Sequence, residues 1–87
     1  MNKQRRKQIE GMIDKLDNIK EHISDILDDE QNAFDNMPES IQYSERGYNM
    51  KEDIYNLDDA IGNIVDAIDN LYEAIEYTTT NKRRNNK

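Results

Sequence analysis

Three successive sevens, LDDAIGN, IVDAIDN and LYEAIEY, fill residues 57 to 77, each with a large aliphatic first, alanine fourth and isoleucine fifth. Apolar residues alternately three and four apart line one side of an α-helix, whereas a strand would need a period of two. The repeat therefore fixes a long helix. Its stripe reaches back through Met50 and Ile54, so that Met50, Ile54, Leu57, Ile61, Ile64, Ile68, Leu71 and Ile75 keep the alternation for eight positions. Ala60, Ala67 and Ala74 flank the stripe and allow close approach of another helix, while Val65 and Tyr72 widen the opposite flank. Apolar positions on both flanks call for more than one neighbour.

The first half carries a second stripe, Ile9, Met12, Leu16, Ile19, Ile23 and Ile26, which fades at Glu30 and is widened by Ile13, Leu27 and Phe34. The fold expected is all-α: an antiparallel helical hairpin with coiled-coil-like heptads that dimerises into a four-helix bundle. The domain layout expected is a basic N-terminal tail (1–8), a helical hairpin (9–77) and a polar basic C-terminal tail (78–87). Within the hairpin, helix 1 spans about 4–34, a connector 35–49 and helix 2 about 50–77. Chains of 87 residues bury only about 60–65% of their unfolded surface. With no cysteine for disulfides, self-association is the common remedy.

The connector is the irregular part. Pro38 removes a hydrogen bond from any helix running through it, so helix 1 must stop earlier. Asp35 or Asn36 is expected to cap a short turn over PESIQ, and Gly47 to mark a break or a positive φ. Asn49 with Glu52 makes a capping-box start for helix 2, with Ser44 as an earlier alternative. Phe34, Met37, Ile41, Tyr43 and Tyr48 supply a lid over the hairpin end. A connector nearer fifteen residues than the usual ~2–8 also leaves room for a binding loop. Tyr43 is assigned to the lid, and Glu45, Arg46, Tyr48 and Asp53 to contact with a partner.

Charge is segregated: residues 9–77 hold all 19 acids against four bases, a net −15, although the whole chain is only −7. The other eight bases sit in KQRRK and NKRRNNK at the ends, which a hairpin gathers at one pole. Arg5, Arg6, Lys7, Arg83 and Arg84 are candidate phosphate contacts there, set against a reading as solvated tails. The acid pairs Asp14/Asp17, Asp25/Asp28, Asp66/Asp69 and Glu73/Glu76 have metal-ligand spacing, but their heptad positions point away from the stripe. His22 has Ile19 three residues before it, not a carboxylate, and no nucleophile elbow, phosphate loop or zinc spacing occurs. No enzyme, metal or cofactor is expected. Two rows of carboxylates along ~40–45 Å of helix can instead present the charge of a nucleic-acid backbone to a protein groove.

The run DDEQNAFDNMPESIQYSERGYNMKEDIYNLDDAIGNI, Asp28 to Ile64, resembles a group of small uncharacterised proteins encoded in phages and prophages. The shared features are an acid and Gln before AFDN, then PES-Q, SERG and an Asp/Glu-Ala-Ile heptad helix. They cover under half the chain, and they imply phage origin but carry over no functional residue. The function expected is a small non-enzymatic phage accessory protein, in the cytoplasm of the bacterial host, that binds a host protein. Its leading version is an acidic inhibitor of a host defence or nucleic-acid enzyme; the rivals are a structural assembly adaptor and a nucleic-acid-binding accessory protein. Self-association is assigned to Ile54, Leu57, Ile61, Ile64, Ile68, Leu71 and Ile75, with no membrane partner.

Overall fold

A computed structural model describes residues 1–75. These residues form three helices and no strand: α1 (Lys3–Asp35), α2 (Glu39–Gln42) and α3 (Glu45–Ile75). The molecule measures 57 × 29 × 15 Å. Since a helix with its side chains is about 10–12 Å across, the smallest dimension leaves room for only one layer. Helices α1 and α3 thus lie side by side as an antiparallel hairpin, and among the described residues nothing covers either broad face.

Helix α1 begins at once. Asn2 is its N-cap, with Oδ1 accepting from the Arg5 N–H at 2.8 Å, so most of the expected basic tail is helix. The cap compensates for a first turn that has no acid to meet the positive end of the helix dipole. At the other end the Asn36 N–H donates to the Asn32 carbonyl at 3.0 Å, and the Met37 N–H to the Phe34 carbonyl at 3.1 Å. Gln42 Nε2 also donates to the Phe34 carbonyl, at 2.9 Å. A helix-end carbonyl without an intrahelical partner is thereby satisfied, and α2 is tied to α1.

Three expectations for the connector need correction. Helix α3 starts at Glu45, because Ser44 takes the cap: its carbonyl accepts from the Tyr48 N–H at 3.0 Å and its Oγ lies 3.5 Å from the Gly47 N–H. The interval between α1 and α3 is therefore nine residues, 36–44, with the α2 turn inside it. Pro38 itself is the N-cap of α2, and its carbonyl accepts from the Ile41 and Gln42 N–H groups. Neither Asp35 nor Asn36 fills that role. Gly47 is neither a break nor a positive-φ residue; it is buried within α3. Its lack of a side chain has another cause. A Cβ there would lie within 2.5 Å of the Ile41 carbonyl oxygen and of the Gln42 carbonyl carbon, and nearer still to the Gln42 oxygen.

The seam of the hairpin runs along Ile54, Ile61, Ile68 and Ile75 with Met50, Leu57, Ile64 and Leu71 on α3, all buried or half-buried. On α1 the register differs from the expected stripe. Ile13 and Phe34 are buried at 4% and 9% exposure, and Ile9, Leu16, Lys20, Ile23, Leu27 and Glu30 are half-buried between or beside them. Met12, Ile19 and Ile26, assigned to the stripe on sequence, lie outside at 53%, 48% and 53%. Both solutions share the row Ile9, Leu16, Ile23, and hydrophobicity alone prefers Met12/Ile19/Ile26 to a row interrupted by Lys20. The corner decides the rotation of α1, because burying Phe34 also turns Leu27 and Ile13, seven and 21 residues earlier, towards α3. Tyr43 does not act as a lid: it is 63% exposed, and Phe34, Met37 and Ile41 close the corner in its place.

Candidate association surface

The row Met12, Ile19, Ile26 repeats every seven residues, so it forms one ridge along α1. Ile26 shares a shallow concavity with Glu30, Asp53, Asn56 and Leu57, which fixes which side of α3 lies next to the ridge. On that side α3 presents Asp53, Ala60, Ala67 and Ala74, again seven apart; the alanines are half-buried. Between ridge and alanines lie the half-buried Leu16, Ile23, Leu57, Ile64 and Leu71. One broad face of the layer is thus apolar across both helices. A continuous exposed apolar patch of this kind is a mark of an interaction surface.

The α3 rim of this face is uncharged, and the α1 rim carries one basic and one acidic residue. Asn49, Asn56, Asn63 and Asn70 follow one another every seven residues along α3, and Gln8, Lys15, His22 and Asp29 do the same along α1. Between residues 8 and 28 of α1 and 56 and 74 of α3 there are six and five carboxylates. By helical register all of them fall outside the face: Glu10, Asp14, Asp17, Glu21, Asp25 and Asp28 on α1, and Asp58, Asp59, Asp66, Asp69 and Glu73 on α3. The opposite broad face is correspondingly mixed. There Asp14, Asp17, Val65, Asp69 and Tyr72 border a second shallow concavity, and Lys20 Nζ pairs with Asp17 at 3.0 Å.

The residues assigned to partner contact do not form one cluster. Glu45, Arg46 and Tyr48 are exposed in the first turn of α3 and Asp53 is exposed two turns further on. Arg46 and Asp53 share the row of the alanines, at the corner end of the apolar face. Tyr48 stands two residues from Arg46, about 160° round the helix at ~100° per residue, and shares its row with the exposed Tyr55. Of the residues assigned to self-association, Ile54, Ile61, Ile68 and Ile75 are engaged by α1, with Ile68 only 9% exposed. Leu57, Ile64 and Leu71 border the apolar face as well as the seam.

At the pole, Arg5 and Lys7 are exposed and Arg6 is half-buried, its Nη2 donating to the Met1 carbonyl at 3.4 Å. Arg5 lies in the row of Met12. Arg83 and Arg84, the other candidate phosphate contacts, lie outside the described residues, as does Glu76. The carboxylate pairs Asp14/Asp17, Asp25/Asp28 and Asp66/Asp69 are exposed, and no group of three or more potential ligands that could hold a metal ion occurs among the described residues. No described helix is long and apolar enough to cross a membrane. The outward ridge and the asparagine row were both missed on sequence; their sevenfold spacing and the alanine flank were the available signals.

No family model, curated protein or solved structure matches the chain significantly.

Proposed function

We propose that this protein is a non-enzymatic association module whose hairpin dimerises into a four-helix bundle and binds a further protein through its acidic outer surface. The observation that carries the reading is the division of the surface: an apolar face free of carboxylates along most of its length, on a chain whose remaining surface is strongly acidic. Burying the first face leaves the second as the outside of the assembly. Its carboxylates are held on rigid helices and do not need ordering on binding, which favours electrostatic recognition of a basic groove. The resemblance of Asp28–Ile64 to phage-encoded proteins supports a phage accessory role, with a host nucleic-acid or defence enzyme as the target class.

Capture from bacterial lysate tests this. Wild-type protein is compared with a variant carrying Asp59→Asn, Asp66→Asn and Glu73→Gln, three outward positions on α3. The expected result is a retained host protein that is lost with the variant and with rising salt, while helicity is unchanged. Equal capture by both forms would remove the acidic surface from the mechanism. Self-association with no captured protein would favour the assembly-adaptor reading, in which the apolar face is the whole activity.

A further inference from the structure

Deepening that reading, we infer that the carboxylate-free face is covered by a second copy of this chain lying end over end, so that α1 packs on α1 and α3 on α3 with opposite directions.

The occupant follows from charge. A copy with net charge −7 is repelled by the outward carboxylate rows along the rod, and the central part of this face is where two such chains meet without opposing carboxylates. The orientation follows from the ends of the face. At the pole it carries Arg5; towards the corner it carries Asp29, Glu30 and Asp53. Pairing two copies in the same direction stacks α1 over α3 and gathers those three carboxylates twice at one end. Reversing one copy instead sets Arg5 of each over Ala33 of the other, about one turn from its Asp29–Glu30 pair and within reach of the long arginine side chain. Arg46, in the row of Asp53, lies about 10 Å nearer the corner at 1.5 Å per residue, past the partner's first turn.

The apolar positions agree with the same two-fold axis. Ile13 lies beside Ile68 and Tyr72, and Ile26 beside Asp53 and Leu57, so Ile19 is level with the interval between Ala60 and Ala67 of α3. An axis through that level places Ile19 against its own copy, Met12 against Ile26, and Ala60 against Ala67. The contact is then self-complementary, as a two-fold interface must be. The alanines allow the two α3 backbones to approach, and the bulkier ridges fill the space between the two α1 helices.

Two measurements test the inference on the intact chain. Because it contains no cysteine, Gln4→Cys gives one spin-label site per copy on a side of α1 away from the face. Reversed copies separate the labels by about 45 Å, from a rise of 1.5 Å per residue, whereas copies in the same direction bring them within about 30 Å. Sedimentation equilibrium of Ile19→Asp, with circular dichroism to follow folding, gives the second: dimer lost, helicity kept, since Ile19 is not part of the seam. Arg5→Glu should weaken the dimer roughly 3–10-fold, and adding Glu30→Arg should restore it. A dimer with the short distance overturns the orientation but leaves the proposed assembly. A dimer that survives Ile19→Asp overturns the face. A wild-type monomer at tens of micromolar overturns both the inference and the dimeric reading, leaving only capture through the acidic surface.

Discussion

The ammonium of Lys51, in the second turn of α3, lies 5.4 Å from the centre of the Phe34 ring in the last turn of α1. The ring is inserted at the corner, with the cation over it and the Gln42 amide bonded to its backbone carbonyl. Three segments meet on this one residue. Phe34→Ala should cost about 3–4 kcal/mol, and Lys51→Ala about 0.5–1 kcal/mol, in chemical denaturation at fixed concentration. Tyr43→Ala, at a side chain 63% exposed, should stay within about 0.5 kcal/mol. A Tyr43 effect as large as that of Phe34 would return the tyrosine to the lid.

The three glycines should answer alanine in opposite directions. At Gly11 and Gly62 a Cβ meets nothing within 4 Å, so each Gly→Ala change should stabilise its helix by about 0.5–1 kcal/mol. At Gly47 the new methyl runs into the backbone carbonyls of Ile41 and Gln42, which cannot move without dismantling α2. Gly47→Ala should destabilise by about 2–3 kcal/mol, read from the melting transition of the three variants side by side.

Lys20 occupies a seam position between Ile13 and Leu27, its stem half-buried and its charge turned out to Asp17. That ion pair is largely solvated and is worth no more than about 0.5 kcal/mol. Lys20→Leu should therefore raise stability by about 1 kcal/mol through added apolar burial, without changing the state of association. Paired denaturation and sedimentation runs check both halves.

Removing the N-cap should unwind the basic start of α1. Asn2→Ala loses the bond to the Arg5 N–H and should cost about 0.5–1 kcal/mol, with a measurable fall in helicity. Asn2→Asp keeps an acceptor and adds a negative charge beside Lys3, Arg5 and the positive helix end, so it should stabilise by a few tenths of a kcal/mol, roughly. The difference should shrink in high salt.

The repeat at residues 57–77 made α3 and its inward row legible from sequence, because a period of seven admits only one stripe there. On α1 two stripes were available, and nothing local to Met12, Ile19 or Ile26 says that they face outward. That information resides in the corner, where the burial of Phe34 and the crowding at Gly47 set the rotation of one helix against the other. Ser44 was visible as a cap, but the choice between it and Asn49 depended on the same close approach. The charge division was legible as a sum along the chain. Its arrangement into a carboxylate-free face required knowing which rows of the two helices lie side by side.

The corner also sets the order in which the molecule closes. Phe34 and Lys51 are 17 residues apart in the chain, whereas Ile13 and Ile68, beside one another nearer the pole, are 55 apart. The entropy lost in joining two points rises with the length between them, so the first long-range contact forms most cheaply around Phe34 and Gly47. Each turn that pairs shortens the loop left for the next, and the hairpin zips from corner to pole. Opening runs in reverse. Protection of backbone amides against hydrogen exchange should therefore grade along the rod, lowest at the turns bearing Lys3, Arg5 and Lys7, so that the positively charged end is also the end that breathes.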